Sequence, residues 1–397
     1  MKIVVNAVSA KVGGGVSYIT NLLRHLPPEA RGIQIVVYLP PKTAAKLEGL
    51  AGDIQLFPTE VGHAGMLKRL WWDQVTLRRI VIKEKADVLF SSANFAMFRC
   101  PVRQLLLVSN ALYFSKTYCE TFLPKHSLRS RIAFGLRRWL TLRSVRHADV
   151  VMTPTQATLD ELRCFADVKK AVVIPYGVAA PAVAKEVKRV MTNPRDAARN
   201  HAVRLLYVSM YYEHKNLRTL LRAISLINKT GGGKFNLKTT ASPSWTGAGW
   251  TSTHGEDLRL ARQAGIAEYV DFVGPLSREG IESLYRASDI FVFPSLSESF
   301  GFPMAEAMSH GLPIIAADTP VNREVCGDAA IYFHSLCVED LAERLLQLAT
   351  DRRLWKTLSA KGYQAARSRF CWNAHAQRIL EVAYSHKIEG IRGDTGH

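Results

Sequence analysis

The composition of 397 residues, 48% of them hydrophobic and with a mean hydropathy near zero, is that of an ordinary soluble globular protein with room for two cored domains. No apolar run approaches the roughly eighteen residues needed to cross a bilayer, and the opening Ile-Val-Val-Asn-Ala-Val runs into glycines rather than a cleavable signal, so a cytoplasmic location is expected. The net charge of +18 is unevenly held: residues 1–200 carry 30 Lys and Arg against 14 Asp and Glu, whereas residues 201–397 carry 22 against 20. Such a field favours an anionic partner, which excludes neither a phosphate-bearing molecule nor an anionic membrane surface. Nucleic acid is set aside, because the basic residues are not interleaved with aromatics and no recognition module is present. The six cysteines form no Cys-x-x-Cys pair and no Cys/His cluster, so reduced thiols are expected, with no disulfide and no structural zinc.

Met1 to Ala7 reads as a first strand, Gly13 to Gly15 as a tight loop and Ser17 to Leu26 as a helix, the opening of a βα unit. Glycine triplets are commonly plain turns; they also let backbone amides approach a phosphate, which makes Gly14 and Gly15 candidate binding positions. Further strands are expected at Ile33–Leu39, Val88–Phe90 and Leu105–Val108, with helices over 66–84 and 128–147, giving an open parallel sheet wrapped by helices. Asn110, just past one of these strands, either positions a polar ligand or turns the chain. Between Lys125 and His147, Leu128, Ile132, Leu136, Trp139 and Leu140 fall on one helical face, and six arginines crowd the remainder. That stripe either sits on anionic lipid or packs against the sheet. Pro175-Tyr-Gly177 closes the first sheet, and Val178 to Ala202 is the expected linker.

Five strands are expected in the second half, at Arg204–Val208, Phe235–Thr240, Val270–Val273, Ile290–Pro294 and Pro313–Ala317, with helices at Asp340–Leu348 and Trp372–Ser385. The turn-rich loop Ser242–Trp250 receives no role. Lys215 stands seven residues past the first of these strands, at a helix start that Asn216 is placed to cap. The most informative stretch is Phe293 to Gly311, which sets Glu298 and Glu306 around a buried strand's exit and a helix's start. Pro303 suits the first turn of that helix, and the backbone amides of Ser299, Phe300, Gly301 and Phe302 stand at its positive end. Two acceptor-only carboxylates flanking an anion site fit a ligand that is diphosphate in the middle and hydroxyl-rich at both ends, an NDP-sugar. Either glutamate alone reads equally well as an ordinary helix-start carboxylate. No Asp-x-Asp occurs, which removes the usual carboxylate pair for a nucleotide-bound metal, and no metal or other cofactor is expected.

The Glu298-x7-Glu306 segment, followed by Gly311-Leu-Pro-Ile-Ile-Ala-Ala-Asp318, resembles the donor site of retaining family 4 glycosyltransferases of the GT-B fold, of the type that builds bacterial surface polysaccharide. The likeness runs in the family's order through Lys2-Ile-Val-Val-Asn-Ala before the glycine triplet, Ala148–Thr155, Val173-Ile-Pro-Tyr-Gly177-Val, Leu205–Ser209, His214-Lys215-Asn216, Val270–Gly274 and Arg323–Ala330. It implies an α/β protein of two Rossmann-like doubly wound domains facing across a cleft. Residues 1–180 would form the acceptor side, with a C-terminal helix of about 372–397 folding back onto it, and residues 203–371 would bind the nucleotide sugar.

By this resemblance Glu306 accepts from the ribose hydroxyls, Glu298 contacts the transferred sugar near its C3 hydroxyl, and Lys215 pairs with the diphosphate. Gly14 and Gly15 approach the donor diphosphate or the acceptor. Two positions depart from the family pattern. Met210 stands where relatives place an arginine, so either another cation substitutes or Lys215 and the helix start carry more of the leaving-group charge. Asn110 stands where many relatives carry a histidine, and it cannot transfer a proton. The implied reaction is metal-independent, front-face transfer of a hexose or deoxyhexose from an NDP-sugar, with a donor phosphate oxygen taking the acceptor's proton. The implied partners are a glycan or polyprenyl-diphosphate-linked acceptor and the anionic inner face of the cytoplasmic membrane. Transfer to a soluble acceptor and a non-catalytic sugar-nucleotide-binding role are the alternatives left open.

Overall fold

Two wholly parallel sheets organise the chain, and the reason is visible in their central strands, which are apolar on both faces. The computed structural model describes residues 1–30, 32–50, 53–179, 202–231, 235–241 and 254–393. The expected linker over 178–202 lies almost wholly outside these residues, and so does the loop Ser242–Trp250. Contacts divide the chain into two units. One comprises Met1–Phe114, Ala133–Gly177 and Cys371–His397; the other comprises Ser115–Ile132 and Val178–Phe370.

The first unit holds β1 (Lys2–Asn6), β2 (Gln34–Leu39), β3 (Ile54–Pro58), β4 (Val88–Ser91), β5 (Arg103–Leu107), β6 (Val150–Thr153) and β7 (Ala171–Val173). Their order is β3-β2-β1-β4-β5-β6-β7, reversing direction between β1 and β4. Ile3, Val4 and Val5 of β1 are buried, each side chain contributing about 1.5–3 kcal/mol of hydrophobic burial. The edge strand β3 has no counterpart among the strands expected from sequence, because it alternates between partial burial and exposure and ends in proline.

The glycine triplet is not a loop. It is the first turn of a helix, Gly13–Arg24, whose inner face of Tyr18, Ile19, Leu22 and Leu23 holds the helix against the sheet despite three poor helix formers at its start. The C-terminal helix Trp372–Gly393 packs on the same unit. Trp372 stacks on Tyr176 and lies so close to Gly177 that a Cβ there would come within 2.4 Å of it; Arg103 donates to Val382 O and Ser385 Oγ.

The second unit holds β8 (Val203–Tyr207), β9 (Phe235–Thr239), β10 (Val270–Phe272), β11 (Ile290–Phe293), β12 (Ile314–Ala317) and β13 (Ala330–Phe333), in the order β10-β9-β8-β11-β12-β13. This is the doubly wound arrangement, with its switch point between β8 and β11. One strand more is present than the sequence pattern suggests: β13 is an edge strand, buried only at its two ends.

Candidate active site

In an open parallel sheet, ligands bind beyond the carboxyl ends of the strands where the order reverses. In the second unit that point lies between the exits of β8 and β11, and the two exits are tied together. Leu296 N donates to His214 O at 2.9 Å, and Asn216 Nδ2 donates to Pro294 O at 3.2 Å. Asn216 stands at the start of helix Leu217–Lys229 but does not cap it with its side chain. Its backbone is left-handed (φ 55°), a conformation Asn tolerates, and the carboxamide instead links Pro294 to Thr219 Oγ1. This latch presents Lys215, whose ammonium reaches Glu298 Oε1 at 2.5 Å. The two side chains are 18% and 12% exposed, enough to meet a ligand and too little for water to screen the pair fully.

Three residues further on, helix Phe302–Ser309 begins at Gly301, whose φ of +78° is the left-handed region that favours glycine. The Phe300 side chain points into the protein, edge-on to Phe302 and Phe370, so any part it takes in binding is through its backbone. Glu306 keeps an accessible edge, yet burial pushes its carboxyl above the usual carboxylate range. The Tyr285 hydroxyl, donating at 3.0 Å, and the charge of Arg278 pull the other way. Tyr285 is itself stacked on His310. Neither Tyr285 nor His310 was visible in the sequence beside Glu306; both are buried, Tyr285 donating to the Glu306 carboxylate and His310 bonding its backbone carbonyl.

A folded-state pKa above the unfolded one means that ionised Glu306 costs stability above its folded pKa, and that the cost disappears below the unfolded value. Glu306→Gln is therefore expected to raise the melting temperature of the ligand-free protein at neutral and alkaline pH. The gain should shrink as pH falls into the ordinary carboxylate range, which calorimetry across pH checks.

Gly14, Gly15 and Asn110 belong to the first unit, and the remaining candidates to the second. Gly14 and Gly15 are exposed at a helix start that carries no acidic residue in its first turn. Asn110 Oδ1 accepts from Leu112 N at 3.1 Å, the turn-forming use of an asparagine, and Asn94 brackets its backbone on both sides.

Residues 12–180 match the family model described as Glycosyltransferase Family 4, and residues 202–351 the model described as Glycosyl transferases group 1, the two together spanning more than half of the chain. The chain belongs to the family 4 glycosyltransferases. Over 248 residues it is 29% identical to the D-inositol 3-phosphate glycosyltransferase of Rhodococcus erythropolis, covering 60% of this chain and 54% of that protein. Over 177 residues it is 28% identical to the O-antigen chain mannosyltransferase B of Escherichia coli, covering 44% of each. The chain thus spans about half the length of the curated relatives it matches. Anabaena Alr3699/HepE, solved in complex with UDP-glucose, superposes with a TM-score of 0.72 at 16% identity, over 97% of this chain and all of that one. Likeness at that identity places the glycosyltransferase in the GT-B fold class.

In this glycosyltransferase Met210 offers no charge; its carbonyl accepts from Ser209 Oγ. Arg218, the second residue of helix Leu217–Lys229, is committed to Glu256 and Asp257 at 2.6 and 2.7 Å. Helix Leu128–His147 also differs from the face its sequence pattern suggests. Phe134, Leu140, Thr141, Ser144 and Val145 form its buried face, whereas Leu128, Ile132, Leu136 and Trp139 are 70, 62, 39 and 54% exposed. Leu140 therefore leaves the stripe, and the other four form an apolar ridge in water. No helix among the described residues is long and apolar enough to cross a membrane.

Proposed function

We propose that this glycosyltransferase moves a hexose or deoxyhexose from an NDP-sugar to a glycan acceptor, retaining anomeric configuration and using no metal, in the assembly of a bacterial surface polysaccharide such as O-antigen, lipopolysaccharide or capsule. The observation that carries the reading is the Lys215–Glu298 pair at the β8/β11 switch point, beside the start of the helix that bears Glu306. Lys215 exchanges Glu298 for the donor diphosphate, which also lies against the backbone from Ser299 to Phe302. Glu298, released, accepts from a hydroxyl of the sugar, and Glu306 accepts from the ribose. As the bond from the sugar's C1 to the diphosphate breaks, negative charge collects where the ammonium and the helix dipole are aimed. The acceptor hydroxyl bonds to C1 from the same face, its proton passes to a diphosphate oxygen, and NDP departs. The surface-glycan assignment draws support from the O-antigen chain mannosyltransferase among the relatives, and the nucleotide-sugar donor from the UDP-glucose in the Anabaena protein. Transfer assayed with and without EDTA, with the product's anomeric configuration read by NMR, tests the reaction. Inversion, or a loss in EDTA restored by magnesium, contradicts it.

The acceptor is lipid-linked in this reading, and the enzyme works at the anionic inner face of the membrane. The exposed ridge Leu128, Ile132, Leu136 and Trp139, flanked by the exposed Arg129, Arg131, Arg143 and Arg146, has the amphipathic, cationic character of an interfacial helix. Each basic residue near an anionic surface contributes on the order of 1 kcal/mol, screened by salt. Vesicle sedimentation is expected to rise with anionic lipid, fall with salt, and weaken at least several-fold when Leu136 and Trp139 become alanine. Equal recovery on neutral and anionic vesicles would reduce the ridge to a solvated face.

A further inference from the structure

Ser115–Ile132 stands in the first half of the sequence, yet it is built into the second unit. Ser115 caps helix Lys116–Thr121, its hydroxyl accepting from Tyr118 N at 3.2 Å. Tyr118 is buried, and Phe122, the residue after the helix, packs against the hydrophobic core of the second unit. The turn Leu123–Lys125 then delivers His126, also buried. Two of these side chains meet one short element. His126 Nε2 donates to Glu213 Oε1, and the Tyr118 ring stands edge-on to His214, with centroids 5.9 Å apart.

Glu213 and His214 open the 3₁₀ turn Glu213–Lys215, and Lys215 closes it. A turn this short is poorly held by its own backbone bonds. Its end is fixed by the Asn216 latch and by the Tyr207 hydroxyl, which donates to Lys215 O at 3.2 Å. Its beginning has no side-chain cap from the preceding Tyr212. There the His214 ring is stacked on Tyr212 at 5.5 Å and met by Tyr118. Burial and the charge of Lys215 hold His214 well below the ordinary histidine range, so it packs as a neutral ring and supplies no second cation. Burial of Tyr118 and Phe122 is enough to anchor the segment. The polar pair adds direction, because a satisfied buried hydrogen bond admits one orientation of Glu213.

We propose that His126 is a positioning residue for glycosyl transfer: through Glu213 it fixes the turn that aims the Lys215 ammonium at the donor diphosphate. This rests on the donor reading for the diphosphate, and on the second unit alone for the turn. A residue that acts by aiming Lys215 counts where Lys215 counts, as negative charge collects on the leaving group. Misplacing such a group by about 1 Å costs up to about a hundredfold in rate.

His126→Ala is expected to lower kcat for transfer from the nucleotide sugar by roughly tenfold or more, and to change the donor's KM by less than about threefold. His126→Gln, which keeps an N–H where Nε2 stands, should restore most of the loss. In a Lys215→Ala background His126→Ala should cost nothing further, because the group it aims is gone. Glu213→Ala, at a side chain 14% exposed, runs the same cycle if His126→Ala does not fold. The proposal is overturned if either alanine variant lowers turnover by the same factor with and without Lys215, or if His126→Gln is as impaired as His126→Ala. Competitive acetylation by acetic anhydride, with the exposed Lys83 as internal reference, reads the turn without a transfer assay. Lys215 should be labelled about threefold faster or more in His126→Ala than in the wild type, and unchanged labelling overturns the proposal. Faster labelling with no transfer from any nucleotide sugar would contradict the donor reading and uphold the part His126 plays in holding the turn.

Discussion

Lys215→Ala is expected to lower turnover by roughly 10²–10³-fold, the loss seen when one donor aimed at developing charge is removed. Three observations set the size. The ammonium is held at the switch point by the latch between the β8 and β11 exits, Met210 supplies no second cation, and Arg218 is committed elsewhere. The same substitution strands Glu298, 12% exposed, without its partner, and the fold should lose up to about 3 kcal/mol, the lower end for broken buried pairs. A double substitution separates the two effects. Lys215→Ala with Glu298→Gln should recover most of the stability and none of the turnover, because the stranded charge is gone while the leaving group remains unassisted. Recovery of turnover in the double variant would place the importance of Lys215 in folding rather than in chemistry.

Gly301→Ala is expected to destabilise the protein by about 2–5 kcal/mol and to abolish the stabilisation that a nucleotide sugar confers. The left-handed backbone at Gly301 costs an alanine roughly 1–2 kcal/mol. The new Cβ would stand 2.5 Å from Met304 Cε and 3.3 Å from Phe293 Cε1, both in residues with almost no exposure, so overpacking adds about 1–3 kcal/mol. Any relaxation shifts the helix start that the ligand is proposed to meet. Gly265→Ala isolates the backbone part, since Gly265 has a similar φ of +68° and its new methyl group would meet nothing within 4 Å. Denaturant midpoints for the two variants should differ by the overpacking contribution; equal midpoints would show that Met304 moves aside at no cost.

The strands at the two switch points were legible because parallel strands buried on both faces leave unbroken apolar runs, as in Ile3-Val-Val5 and Ile290-Phe-Val-Phe293. Two edge strands were not: β3 and β13 are half-exposed, so their patterns resemble loops. That Lys215 meets Glu298 was not legible, since nothing local joins residues 83 positions apart. The glycine triplet read as a loop because propensity argues against helix, while the buried face from Tyr18 to Leu23 decides for it. Helix Leu128–His147 inverted the usual inference from pattern. Its apolar stripe lies in water, and its buried face is built partly from Thr141 and Ser144, whose hydroxyls return to the carbonyls of Arg137 and Leu140 and so need no water.

The donor assignment is tested most directly by a thermal-shift panel of GDP-, UDP-, dTDP- and ADP-sugars on the wild-type protein and on Glu306→Ala. Binding at a hundredfold excess over Kd stabilises the folded state by about 2.7 kcal/mol. One nucleotide class should raise the melting temperature of the wild type in a dose-dependent manner and lose most of that effect in the variant. No shift with any nucleotide sugar, or the same shift in both proteins, would contradict the placement of the donor at Glu306.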